Sequence, residues 1–433
     1  MHNSLLLVAM CAGPLAAAAE LPRIDWSGIE PGNVVLFHPG QSSYEWVRSK
    51  VHQGAHHDVK QGESCAFCHD EEDAEKEIGI VNSKGGRLEP HPIAGKIGFI
   101  DLGIQAAFDA HNVYLRFQWK TNGPNSQQPG PEHRYMRFDG KVWKPWGFSR
   151  LDQEVRDGQM QPLVEDRISI MLDDGKVADF AKQGCWLTCH DGMRDMPPQF
   201  PSKDGAINTG LPPIAQDAIR KYLPDSRHDP SDWKTRKSAR EIARLKADGK
   251  FLELIQWRAR SSPDVTPVDD GYVLDWGYVD TKKGNSDSNI GKNQLPQFMW
   301  NQKATGFRAI RDDGAVQNSN VSLIRGQNAV PFDPRVRWQA GDILPDRVVS
   351  PKVTKNITGT RAQGSWSNGV WTVVIARPLR PTGPGSKALA EGNVYNVGFA
   401  VHDDNVGTRA HHVSFVKTLG LGVKADIQAV KVP

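Results

Sequence analysis

Two short stretches constrain this chain more than anything else in its 433 residues: "CAFCH" at 65–69 and "CWLTCH" at 185–190. Each places two cysteines a few residues apart and a histidine directly after the second. Cys11 aside, every cysteine of the chain is here: Cys65, Cys68, Cys185 and Cys189. Two disulfides would be the ordinary reading of four cysteines in an exported protein. A disulfide has no need of a following histidine, however, and here that neighbour occurs twice.

The C-x-x-C-H spacing has a geometric reason. Two thiols add across the two vinyl groups on one edge of a porphyrin, and the next side chain then points at the iron. Residues 65–69 are therefore expected to attach a haem c through Cys65 and Cys68, with His69 as the proximal ligand. Zinc is the alternative, with His52, His56 and His57 as further ligands in a closed site. A redox dithiol is another, but it should sit in a βαβ setting that the surrounding sequence lacks. At Cys185, Cys189 and His190 the spacer is three residues, and spacing alone leaves a haem and a disulfide both open.

An electron-transfer haem calls for a second axial ligand. For the first motif the candidates are His56, His52 and His57 in "EWVRSKVHQGAHHDV", with His91 following. His52 and His56 are four apart and share one face of any helix there. For the second, Met193 and Met196 lie too near His190 to reach the opposite face without a reversal. Met299 in "QLPQFMW" and then His133 in "EHRYMRFDG" are the preferred candidates; Met136, Lys292, His402, His411 and His412 are further options.

The N-terminal "SLLLVAMCAGPLAAAA" is a short apolar core ending in small residues, the pattern of a secretory signal over 1–19. Export to the periplasm is the expectation, with no transmembrane span after cleavage. The net charge of +3 and the lack of a Lys/Arg run give no footprint for nucleic acid.

Beyond residue 90 the pattern is that of strands. In "NVYLRFQWK" Val113, Leu115, Phe117 and Trp119 alternate with Tyr114, Arg116, Gln118 and Lys120. "DRISIMLDDG" (166–175), "NVYNVGFAVHDD" and "HHVSFVKTLGLGV" have the same character, and "GVWTVVIARPL" (369–379) is apolar on both faces, like a central strand. One helix is expected over 232–250, with Ala239, Ile242 and Leu245 as its apolar stripe and Gly249 at its exit. The carboxylate pairs Asp173–Asp174, Asp269–Asp270 and Asp403–Asp404 lie beside turn signals and read as turns. "DEEDAEKE" after the first motif reads as a solvated helix face. The fold class is mainly β: a haem-binding β-sandwich with inserted loops and a helix (91–433), preceded by a small, mostly helical c-type haem segment (20–90).

The stretches "AGKIGFIDLGIQAAFDAHNVYLRFQW", "DDGYVLDW", "GVWTVVIARPL" and "VGFAVHDD", in that order over about residues 91–420, resemble the haem-binding domain family of the ethylbenzene dehydrogenase gamma subunit. That family includes haem subunits of dimethylsulfide dehydrogenase and of selenate and chlorate reductases. The resemblance implies a β-sandwich around a haem that relays electrons for a molybdenum enzyme. Gamma subunits hold haem b without covalent bonds, between Met and Lys. This chain departs from them in having "CWLTCH" inside the domain and a C-x-x-C-H ahead of it, and so is similar to diheme c-type cytochromes related to the family. The resemblance tilts Cys185, Cys189 and His190 toward a second covalent haem c.

The expected function is single-electron transfer between redox proteins, a molybdenum oxidoreductase or a membrane quinol-oxidising complex among them. A haem enzyme with one open iron, acting on a small nitrogen, sulfur or peroxide substrate, is the alternative from another class. A haem-free binding module with disulfides or zinc is the third.

Overall fold

The computed structural model describes residues 20–38, 44–50, 52, 55–69, 97–121, 135–146, 157, 166–190, 221–259, 265–279, 286–311, 322–349, 358–403 and 411–433. The expected signal at 1–19, the acidic run at 70–77, and His91, His133, Met193 and Met196 lie outside them.

Among the described residues fourteen strands form one large sheet. In chain order they are β1 (Gly32–Phe37), β2 (Phe99–Phe108), β3 (Asn112–Lys120), β4 (Arg167–Asp173), β5 (Leu252–Arg258), β6 (Thr266–Pro267), β7 (Asp269–Val273), β8 (Gly277–Val279), β9 (Arg361–Ser367), β10 (Val370–Pro378), β11 (Val394–His402), β12 (His411–Ser414), β13 (Lys417–Leu421) and β14 (Ile427–Lys431). Their order across the sheet is β8-β7-β5-β4-β11-β12-β1-β2-β3-β10-β9-β6. β13 pairs with β11 and β14, and β14 pairs with β2, so the sheet is joined a second time between its two halves.

The sheet folds over on itself because one face of each half is apolar. β2 contributes Ile100, Leu102 and Ile104, β3 Val113, Leu115, Phe117 and Trp119, and β10 Trp371, Val373 and Ile375. From the other half come Ile168, Ile170 and Leu172 of β4 and Val397, Phe399 and Val401 of β11. These are alternate residues, as the two-residue repeat of a strand requires. Burying each large apolar side chain contributes about 1.5–3 kcal/mol. The result is a β-sandwich-like fold around a single main core.

β1 comes from the stretch 20–90, which the sequence sets apart from the sandwich. It lies between β2 and β12, with Phe37 opposite both Phe99 and Val413. Val34, Val35, Leu36 and Phe37 are all buried, so this strand is covered on both faces. Val34 and Leu36 enter the main core, while Phe37 joins a second apolar layer on the outer face of the sheet.

That outer layer carries the two cysteine motifs. The helical turns α1 (Tyr44–Val47), α2 (His56–Gln61), α3 (Cys65–Cys68) and α4 (Phe180–Gln183) lie in this part of the chain. A longer helix, α5 (Ala239–Ala247), sends Ile242 into the same layer, with Leu245 packed against it. It is shorter than the expected 232–250. Ser238 caps it by accepting from Glu241 N–H while the Glu241 carboxylate accepts from Ser238 N–H. Residues 229–235 are spent on turns in which Asp229 and Asp232 accept backbone N–H groups.

A satellite sheet is built from Tyr135–Phe138, Trp143–Trp146, Ile310–Arg311 and Asp342–Pro345. Its cluster contains Met136, Trp143, Trp300, Ile310 and Leu344. Among the described residues no helix is long and apolar enough to cross a membrane.

Candidate haem-attachment centre

α2 ends at Gly62, whose φ of 90° lets the chain reverse. α3 then forms a single turn that holds Cys65 and Cys68, and the N–H of His69 donates to Cys65 O at 3.0 Å. Cys65 packs against the outer layer, and burial pushes its thiol up to about 11. Cys68 is exposed. The half-buried His69 stacks toward Phe415, ring centroids 6.1 Å apart. Burial, and then the neighbouring His52, push its pKa below the usual histidine value.

The second motif begins where α4 ends at Gly184, in a 3-10 turn over Gly184–Thr188. Cys185 lies over Gly398 of β11, where a Cβ would come within 3.1 Å of its Sγ. Burial pushes the Cys185 thiol up to about 12. Lys221 donates from Nζ to Cys189 Sγ at 3.1 Å. All four thiols are free.

His190 is fully buried. Its Nδ1 lies 2.9 Å from Glu45 Oε1, and its Nε2 lies 3.1 Å from Tyr222 O. The Tyr222 ring stacks on it at 3.5 Å and 9°. Burial lowers its pKa, against the pull of the Glu45 carboxylate and the Tyr222 carbonyl.

The two motifs are thus parts of one layer. Tyr44 N–H donates to Cys189 O at 2.6 Å, and Arg48 donates to Gln183 Oε1 at 2.7 Å. Phe415 touches both sides, with its ring 5.5 Å from Trp186 as well as near His69. Trp186 in turn stacks on Phe37 at 5.4 Å. Among the described residues no group of three or more His, Cys, Asp or Glu side chains is gathered as a metal cage.

The distal candidates separate by position. α2 starts at His56, so His52 lies ahead of the helix and the two do not share a helical face. His52 Nδ1 is 2.9 Å from Val47 O. His56 has a buried Nδ1 with no hydrogen-bond partner. His57 points outward and meets Gln61 at 3.3 Å and Asp58 at 3.7 Å. His52 is near enough to His69 to lower its pKa electrostatically, whereas His57 stays at the surface. Met299 is half-buried in the satellite cluster with Trp300 and is not brought to Cys185, Cys189 or His190. Trp143 is in that cluster too, whereas Trp186 belongs to the layer of the motifs.

His402 and His411 pair directly across β11 and β12, rings stacked at 4.9 Å. They share the sheet face of Ala400 and Val413, which packs with the second motif. His412 faces the other way and lies 5.2 Å from His38, at the end of β1. His38, Glu45, Lys221 and Tyr222 were not marked by any motif. Only the contacts they make in the fold reveal them.

Residues 25–414 match the family described as ethylbenzene dehydrogenase. The chain belongs to this family. The match starts well ahead of the resemblance visible in the sequence and takes in β1 and the first motif, in keeping with β1 being a strand of the main sheet. Within the ethylbenzene dehydrogenase family the chain is similar along nearly its whole length to a cytochrome c-552 of Stutzerimonas stutzeri: 28% identity over 420 residues, 97% of this chain and 94% of the relative. A cytochrome c-551 of Rhodocyclus tenuis is 28% identical over 187 residues, 43% of this chain and 63% of the relative.

Proposed function

We propose that this chain is an exported c-type cytochrome that carries two covalent haems and passes single electrons between redox proteins. One observation carries the reading: two turns of the form thiol, thiol, imidazole, their thiols free, are packed into one apolar layer and joined through Phe415. The names of the two relatives, each a cytochrome c, support it. The donor set fits the group. Cys65 and Cys68, then Cys185 and Cys189, would hold the porphyrins through thioether bonds, with His69 and His190 as proximal ligands. Gly398 leaves room at the Cys185 sulfur, where any larger residue would intrude.

An attached haem supplies a one-electron couple; the chain supplies everything around it. The outer layer of Phe37, Trp186, Leu187, Val413 and Phe415 excludes water, and Glu45 and Tyr222 fix the ring of His190. A quinol-oxidising complex or a molybdenum oxidoreductase fits as partner, by analogy with the haem subunits the family includes. For the distal positions the placement supports His52 or His56 at the first haem. At the second, His402 or His411 is better placed than Met299.

Intact mass of the protein matured in a host competent for cytochrome assembly tests the proposal. The expected value is the processed chain plus two haems, and colourless material refutes it. Carbon monoxide separates carrier from enzyme: an unchanged Soret band is expected, and a shifted one would indicate an open iron.

A further inference from the structure

A side chain from the stretch that bears the first motif reaches into the second. Glu45 belongs to α1, yet its Oε1 is 2.9 Å from Nδ1 of His190, a residue 145 positions away. The His190 side chain is 0% exposed and that of Glu45 17%. The same short helix is pinned by Tyr44 N–H on Cys189 O and by Arg48 on Gln183. Glu45 is therefore held in place by its neighbours on both sides.

We propose that Glu45 is a positioning residue for the second haem: it accepts the Nδ1 proton of His190, leaves Nε2 as the nitrogen facing the iron, and holds that haem's reduction potential down. The proposal rests on the reading that Cys185, Cys189 and His190 attach a haem. Both groups at the His190 ring, a carboxylate and a carbonyl, are acceptors, so a proton on Nδ1 is donated to Glu45. A metal at Nε2 would take the place of the contact with Tyr222 O. The hydrogen bond to Glu45 remains. A carboxylate acceptor fixes the tautomer and raises the basicity of a ligating imidazole, which stabilises the oxidised iron. The Lys221 amine at Cys189 Sγ acts in the opposite sense, but it is common to wild type and variant and cancels in their comparison.

Glu45→Gln in the full, haem-loaded chain is the test, with each haem followed by spectroelectrochemical titration. A Cys65→Ser/Cys68→Ser variant, which keeps the second haem alone, assigns the two potentials. The second haem in Glu45→Gln should favour its reduced form by about tenfold, a rise of about 59 mV for a one-electron couple. Glu45→Asp, which keeps the charge, should stay nearer to wild type. A second-haem potential unmoved in Glu45→Gln, with two haems by mass, overturns the proposal. A wild-type mass with no haem at Cys185 and Cys189 instead overturns the reading beneath it. Should Glu45→Gln fail to mature, the wild-type protein gives the answer by NMR of its His190 ring proton. A signal well downfield of carbonyl-bonded histidines supports the carboxylate acceptor, and one within their range overturns it.

Discussion

Cys68 is exposed, whereas Cys185 and Cys189 are 6% and 5% exposed, although all carry the same thiol. Reactivity follows the thiolate, and burial holds Cys185 in the thiol form by raising it to about 12. At pH 8 its thiolate fraction is roughly one in ten thousand. In haem-free chain, iodoacetamide should therefore modify Cys68 first, with Cys185 and Cys189 reacting only after urea is added. Peptide mass spectrometry over a time course checks the order, and simultaneous labelling would count against the buried second motif. Asp270 is a different case. Burial first, and then the nearby Glu253, raise its pKa to about 7 from 3.8. The folded chain then binds a proton that the unfolded chain has lost between these values, so the group reduces stability as pH rises from about 4 to 7. Each unit corresponds to about 1.4 kcal/mol. Asp270→Asn should accordingly raise Tm at pH 8 and change it little at pH 4, by differential scanning calorimetry. An equal change at both pH values would show that the side chain's packing, not its charge, decides. The motif residues were legible in the sequence because they are local. Glu45, Tyr222 and the partners of Asp270 were not, because each contact joins distant segments and leaves no spacing to read.

Strands were the most legible elements. The alternation predicted for 112–120 holds for Val113, Leu115, Phe117 and Trp119, which enter the core. Tyr114 on the other face, however, is buried too, against Ile29 and Ala376. Asp269–Asp270 is the opposite lesson. Expected in a turn, the pair starts β7, where Arg258 donates to Asp269 at 2.6 Å and Thr360 to Asp270 at 2.9 Å. Aspartate is depleted from strands because its polar oxygens lack partners there; Arg258 of β5 and Thr360, just ahead of β9, supply them. The helix at 232–250 was real but shortened, since Ser238 and Glu241 make a better start than the turn residues before them. In β11 the small residue matters most. A side chain at Gly398 would meet Cys185 Sγ at 3.1 Å and Phe180 Cζ at 3.6 Å. Gly398→Val should thus reduce occupancy of the second haem while sparing the first, measured as haem per chain by pyridine haemochrome. Full occupancy of both would show that Cys185 moves aside freely.

At the scale of the whole molecule, the boundary at residue 90 is where sequence and structure part. The apolar run "NVVLF" at 33–37 is short and lies among Gly and Pro residues, too slight a signal to mark a central strand. In the fold it pairs along its length with β2 and at its end with β12. It fills the gap between β2 and β12, and so between the two halves of the sheet that share the main core. A chain that starts at residue 91 would lose Val34 and Leu36 from the core and leave facing edges of β2 and β12 unpaired. Removing a large buried aliphatic group costs about 2–5 kcal/mol, and two such losses approach the whole stability of a typical domain, about 5–15 kcal/mol. It would also strip Phe37, Tyr44 and Glu45 from the second motif. Such a chain is expected to be produced without cooperative thermal unfolding and without haem at Cys185 and Cys189. A chain starting at residue 20 with Cys65 and Cys68 both replaced by serine should unfold cooperatively and retain the second haem. The contrast isolates the strand from the haem that follows it: if the chain from residue 91 melts cooperatively with its haem in place, β1 is an accessory to the sandwich and not one of its members.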